Sequence, residues 1–249
     1  MIKKGYYIVL LALAGCFPPD EYLPDLPDDR TTVNLNVVSN QAAYLDLSDL
    51  NRRYDSTDGL WHLRFDNQEN QWVIYLNTLQ GVVAFNTRST DFDAIDTSTN
   101  LDNISWQMDI PTQGNVQAAI GNWGDFSFVN PKSFRNIYLI RWDTETAENI
   151  YKVQLLDARK DAYHLRFGPL DNSFVRSIWI LKSPEYESSY LSLQDHLQTY
   201  EVEPTKNNWE LCFTYLPDSI KNKGEYIPHL STIKNEIGLY QGVAINQAT

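Results

Sequence analysis

Cysteine is nearly absent from this chain: of 249 residues only Cys16 and Cys212 carry a thiol. That excludes a disulfide-rich scaffold and a zinc site built on cysteines. Glycine and proline number 11 each, too few for a collagen-like or low-complexity chain. Basic residues are scarce as well. Twenty Lys and Arg stand against 32 Asp and Glu, a formal net charge of −12. Such a surface repels phosphate backbones, so no nucleic-acid partner is expected. No apolar run reaches the roughly 20 residues that a membrane-spanning helix needs. Nucleophile-elbow, phosphate-loop and dinucleotide-binding glycine patterns are all missing, and the chain reads as a non-enzyme. What the sequence does have is aromatic: seven Trp, 15 Tyr and 10 Phe, within a hydrophobic share of 43% that suffices for a sizeable core.

The N-terminus reads as an address. Lys3 and Lys4 precede an apolar run from Tyr6 to Ala14, which fits the core of a secretory signal. The run ends in Leu13-Ala14-Gly15-Cys16, which resembles the lipobox of bacterial lipoproteins, with Cys16 as the lipidated residue. Cleavage before Cys16 would leave 249 − 15 = 234 residues and remove two lysines, taking the charge from −12 to −14. Residues 16–30 hold four Pro and five acids and read as an extended tether. These acids resemble the surface-export signals of Bacteroidetes lipoproteins. The expected location is therefore the outer membrane or cell surface of a Gram-negative bacterium. Cys212, left without a partner, is expected to be a structural thiol, opposite the Trp209/Leu211/Phe213 face of its strand.

Beyond the tether, apolar runs are short, aromatic and β-branched. Val33–Val37, Trp61–Phe65, Trp72–Leu76, Ile137–Trp142, Tyr151–Leu155, Tyr163–Phe167 and Ser177–Leu181 read as strands. The best helical segment is Ser188–Leu197. The fold class is all-β, an antiparallel sandwich-like or strongly bent sheet with few short helices.

The chain also repeats itself. Tyr44-Leu45-Asp46-Leu47 returns as Tyr190-Leu191-Ser192-Leu193, Tyr54 as Tyr200, and Trp61-His62-Leu63-Arg64-Phe65 as Trp209-Glu210-Leu211-Cys212-Phe213. Gln80-Gly81-Val82-Val83-Ala84 returns as Gln241-Gly242-Val243-Ala244. The offsets are 146, 146, 148 and about 160 residues, in the same order along the chain. This predicts a β domain over 31–185 and a partial second copy over 186–249, apparently truncated. Alternatively, the later strands complete the first domain. A free half-domain would expose unpaired strand edges.

Four histidines, at 62, 164, 196 and 229, are too widely spaced for a local metal-ligand pair. His62 and His164 each occupy the second position of an aromatic-His-Leu-Arg-Phe strand, where alternation turns them toward solvent. Asp91/Asp93 and Glu185/Glu187 are carboxylate pairs at strand spacing, a common pattern that carries no metal or catalytic assignment. The aromatics suit a core, a haem slot or a sugar-stacking surface.

Several of these strands resemble the HmuY-like family of haem-binding lipoproteins. The matching pieces are Tyr44-Leu45-Asp46-Leu47, Trp61–Phe65, Gly81-Val82-Val83, Ile137–Arg141, Lys152-Val153-Gln154-Leu155 and Tyr163–Phe167. The resemblance implies a β fold and a non-enzymatic role in capturing haem or a related tetrapyrrole for iron acquisition, with an outer-membrane receptor as a further partner. Haem capture needs two axial donors and an apolar slot. One family ligand follows a Trp-x-x-Phe-Ser-His strand, and here Trp123-Gly124-Asp125-Phe126-Ser127 is followed by Phe128, which cannot ligate iron. The donors are therefore to be drawn from Met108, His62 and His164. The alternative is a surface adhesion or glycan-binding module that keeps the fold without the ligands.

Overall fold

A computed structural model describes residues 42–49, 52–56, 61–112, 115–142, 149–199, 202–217 and 226–232. The leader at 1–15, Cys16, the tether at 16–30, the strand expected at Val33–Val37, and Tyr200 and the Gly242 motif of the repeat lie outside the described residues. The described portion is all-β, with antiparallel sheets and a 3-10 turn at Thr78–Gln80. The helix expected over Ser188–Leu197 is instead a hairpin: strand Ser188–Ser192, a turn, and strand Leu197–Thr199. The residues of its first strand are all buried, and propensity yields to the sheet beside them.

The largest sheet has five strands. In spatial order they are β13 (Arg176–Leu181), β12 (Ala162–Pro169), β11 (Ile150–Arg159), β10 (Ile137–Arg141) and β5 (Val83–Asn86). One face carries Val153, Leu155, Leu165, Phe167 and Ile140 into the main core. Against it pack Leu63 and Phe65 of β3 (Leu63–Asp66), Ile74 and Leu76 of β4 (Ile74–Leu76), and Leu191 of β14 (Ser188–Ser192). These belong to a four-stranded sheet in which β15 (Leu197–Thr199), β14, β3 and β4 follow one another. The two layers make the sandwich.

The other face of the five-stranded sheet is covered by the long segment after β5. Leu139, Ile150 and Leu170 pack there under Ile95, Leu101, Ile104 and Trp106. On that face β11 also presents Lys152 and Gln154, both buried. Lys152 Nζ donates to the carbonyls of Phe92 (2.8 Å) and Ile95 (2.6 Å) and to Asn172 Oδ1 (2.5 Å). Gln154 Nε2 donates to the carbonyls of Thr90 (2.9 Å) and Arg135 (2.7 Å). Loop carbonyls that would otherwise be buried unpaired are thereby satisfied.

A third sheet orders β17 (Tyr226–Thr232), β16 (Leu211–Pro217), β1 (Ala42–Leu45) and β2 (Arg53–Asp55). It is the repeat partner of the β4-β3-β14-β15 sheet. Tyr44 pairs with Cys212 and Leu45 with Leu211, while Tyr190 pairs with Arg64 and Leu191 with Leu63. Each sheet thus joins the first hairpin of one copy to the second hairpin of the other. Details repeat too. Trp209 meets Tyr44 edge-on at 4.7 Å, and Trp61 meets Tyr190 edge-on at 5.0 Å. Glu210 N–H donates to Leu45 O (3.0 Å), and His62 N–H to Leu191 O (2.9 Å). The boundary expected near residue 186 therefore does not divide the chain into separate folding units. The later strands are woven into the earlier ones, which is the alternative the repeat left open.

Candidate functional site

The site is built from rings on four elements. Trp142 directly follows β10, Tyr151 lies on β11, Phe174 sits in the β12–β13 connection, and His196 lies in the turn between β14 and β15. Ring centroids follow one another from His62 to Trp142 (4.0 Å), Tyr151 (5.1 Å), Phe174 (6.1 Å) and His196 (4.4 Å). The series begins and ends at one turn, because Leu193 N–H donates to His62 Nδ1 at 3.1 Å, three residues before His196. That turn is fixed by Ser192 and Asp195. Asp195 N–H donates to Ser192 Oγ (3.1 Å), and the hydroxyl donates back to Asp195 Oδ2 (3.0 Å). His196 takes a positive φ of 60° there, which holds its ring against Phe174 and Phe167.

The four rings other than His62 are half-buried, so they present faces and edges to solvent. His62 is buried, and burial pushes its pKa down to about 4 against a weaker opposing pull from Asp195. Burial also lowers His196, helped by Arg176 and opposed by Asp195. Both imidazoles are thus neutral at pH 7. His196 Nε2 is shielded from water and has no hydrogen-bond partner among the described residues. Asp171, held below the usual carboxylate range chiefly by the backbone N–H of Ser173, adds negative potential near Tyr151.

No family model matches the chain, and neither a curated protein nor a solved structure is significantly similar to it. Its chemistry is therefore read from the rings themselves.

The three residues named as haem donors occupy separate places. His62 does not face solvent. The strand proper starts at Leu63, so the alternation that would turn His62 outward does not apply. Its Nδ1 accepts the Leu193 N–H, which puts the ring proton on Nε2 and leaves no lone pair there for a metal. His164 is half-buried on β12, stacked on Trp179 at 4.3 Å and 9°, with Nε2 2.7 Å from Ser177 Oγ. Met108 is half-buried and follows Gln107, which bridges to Ala84 of β5. β12 and β5 are three strand steps apart, roughly 14 Å. The structure does not bring the three side chains together. Among the described residues no group of three or more His, Cys, Asp or Glu forms a metal site. Cys212 is a buried free thiol, packed with Trp209 and Tyr44 rather than opposite Trp209, because Trp209 precedes the strand and its alternation does not extend there. The Asp91/Asp93 pair is split by structure: Asp91 caps its own turn, while Asp93 meets Arg166 at 3.0 Å.

Sequence reasoning did not find His196, Trp142, Tyr151 and Phe174 as a group. They are spread over 55 residues, and only the β10–β11 pairing and the β14 turn assemble them.

Proposed function

We propose that this chain is a non-enzymatic, membrane-anchored binding protein whose ligand stacks on the Trp142–Tyr151–Phe174 strip, and that the ligand is a glycan. One observation carries the reading: the half-exposed rings of Trp142, Tyr151 and Phe174 adjoin one another in a strip that ends at a neutral imidazole. Sugar rings offer an apolar C–H face for stacking and hydroxyls that donate to carboxylates. Asp171 and Asp195, exposed near the rings, are such acceptors. The anchor is Cys16, and the location the outer membrane or cell surface.

Tryptophan fluorescence of the protein is expected to respond to a bound polysaccharide, and Trp142→Ala to weaken binding about tenfold or more, the size expected for one lost stacking face. A glycan array with no response in wild type sinks the proposal.

Capture of haem or a related tetrapyrrole for iron acquisition is the second reading. It is favoured by the neutral His196 imidazole beside Phe174 and Phe167, a donor ring in an aromatic surround. Haemin added to the protein should then give a shifted, sharpened Soret band that His196→Ala abolishes. A spectrum identical to free haemin removes this reading. Loss of the band in His62→Ala, His164→Ala or Met108→Ala, with His196→Ala unaffected, would move the ligand elsewhere.

A further inference from the structure

The short hairpin of β8 (Gly124–Asp125) and β9 (Lys132–Ser133) has a rigid base and an apolar apex. At the base, buried Trp123 donates from Nε1 to Trp72 O (2.9 Å), and Phe134 N–H returns to Trp123 O (3.0 Å). A Cβ on Gly124 would lie 2.9 Å from Lys132 O, so the two strands close only with glycine there. The connection is tied to the β11–β12 turn by Lys160 N–H donating to Asn130 Oδ1 (3.0 Å). Yet Phe126, Phe128, Val129 and Phe134 are 41%, 56%, 75% and 47% exposed. Two phenylalanines and a valine on one firmly held tip, with a third exposed phenylalanine at its base, are not leftovers of core packing.

The charges around the tip differ from those of the molecule. Between 123 and 135 the charged residues are Lys132, Arg135 and Asp125, a balance of +1 in a chain of −12. Asp125 is turned inward on its own loop, accepting from Ser127 N–H (3.0 Å) and Oγ–H (2.7 Å). Arg159 ends β11 and Lys160 and Asp161 form the adjoining turn, where Lys160 pairs with Glu69 and Arg159 stacks on Trp179. Apolar side chains at an apex with lysine and arginine behind them suit the boundary of an anionic bilayer. Four side chains are too few for a stable protein interface, which needs about 800 Å² from each partner.

We infer that the 126–131 apex is a second membrane contact, inserting Phe126, Phe128 and Val129 between anionic lipid headgroups with Lys132 and Arg135 at the phosphate level. The inference is independent of the ligand on the Trp142 strip.

The test is hydrogen exchange on the full chain carrying Cys16→Ser, so that no acyl chain contributes. Vesicles of phosphatidylcholine mixed with phosphatidylglycerol are expected to slow exchange at 126–131 by about tenfold or more. Phe128→Asp and Val129→Asp, both at exposed positions, should abolish the slowing while leaving exchange in β10–β12 unchanged. Pure phosphatidylcholine should weaken it. No slowing at the apex, or slowing that survives Phe128→Asp, overturns the inference. So does protection that appears without vesicles and grows with protein concentration, since that would mark a second copy as the occupant.

Discussion

Lys152 shows how a charged residue can belong to a β core. Its ammonium sits among the carbonyls of Phe92 and Ile95 and Asn172 Oδ1, with the Phe92 ring 4.3 Å away. Burial lowers its pKa, the cost of holding the charge there. Lys152→Met would keep the aliphatic bulk and leave the buried Phe92 carbonyl and two partly buried acceptors without their donor. A loss of about 3 kcal/mol in unfolding free energy is expected, measured by urea denaturation. Glu203 is a second buried charge. Its carboxyl accepts from Tyr190 OH (2.9 Å) and Ser188 N–H (2.7 Å), yet burial pushes its pKa up to about 7 from 4.5, with Arg64 pulling it down and Glu187 pushing it up. Asp109 rises to about 6 from 3.8 for the same reason. The folded state holds these protons more tightly than the unfolded chain. Their stabilisation is full below about pH 4 and is lost as pH rises through about 7. His62 acts in the opposite sense: its contribution is present above pH 6.5 and is lost as pH falls through about 4. Glu203→Gln should therefore gain on wild type between about pH 5 and about pH 8, by up to about 3 kcal/mol in chemical denaturation. An unchanged difference across that range would contradict the assignment.

At the level of elements, two Trp–Tyr pairs hold equivalent hairpins together across the exchange. Trp209 is 2% exposed and also donates from Nε1 to Pro204 O (3.1 Å), whereas Trp61 is half-buried. Trp209→Ala should cost about 4 kcal/mol and Trp61→Ala about half of that, measured by thermal unfolding. Equal losses would mean that the pseudo-equivalent pairs carry equal load despite their unequal burial. Strand positions were legible in the sequence because alternation and β-branching are local: Trp61–Phe65, Ile137–Trp142 and Tyr163–Phe167 all overlap the strands observed. The repeat was legible too, since Tyr44-Leu45 and Tyr190-Leu191 keep their register. Which copy pairs with which was not. Pairing is decided by contacts more than 120 residues apart, such as Leu63 with Leu191, and no local pattern encodes the choice. His62 was misplaced for a related reason, because alternation presumes a strand that had not yet begun. The ring series failed to show because each member reads as ordinary core on its own.

For the whole molecule, exchanged hairpins imply shared stability. β3 is flanked by β14 and β4, and β1 by β16 and β2. Leu191 and Leu193 from the later segment stand in the same core cluster as Leu63, Phe65 and Tyr163. Ending the chain at residue 185 would strip one neighbour from β3 and one from β1, and remove those two leucines. Two open edges and a hollowed core are then exposed together. Such a chain is expected to aggregate on size-exclusion chromatography and to melt without a cooperative transition. The full chain should unfold in one step, with far- and near-ultraviolet circular dichroism coinciding through the transition. Limited proteolysis tests the same point from the other side. If the strands after 186 were a separate appendage, digestion would leave a stable core ending near residue 183. Woven strands predict no such fragment, since a cut in the β13–β14 connection leaves both pieces hydrogen-bonded to each other, as the Ser188–Asp66 to Leu191–Leu63 ladder requires.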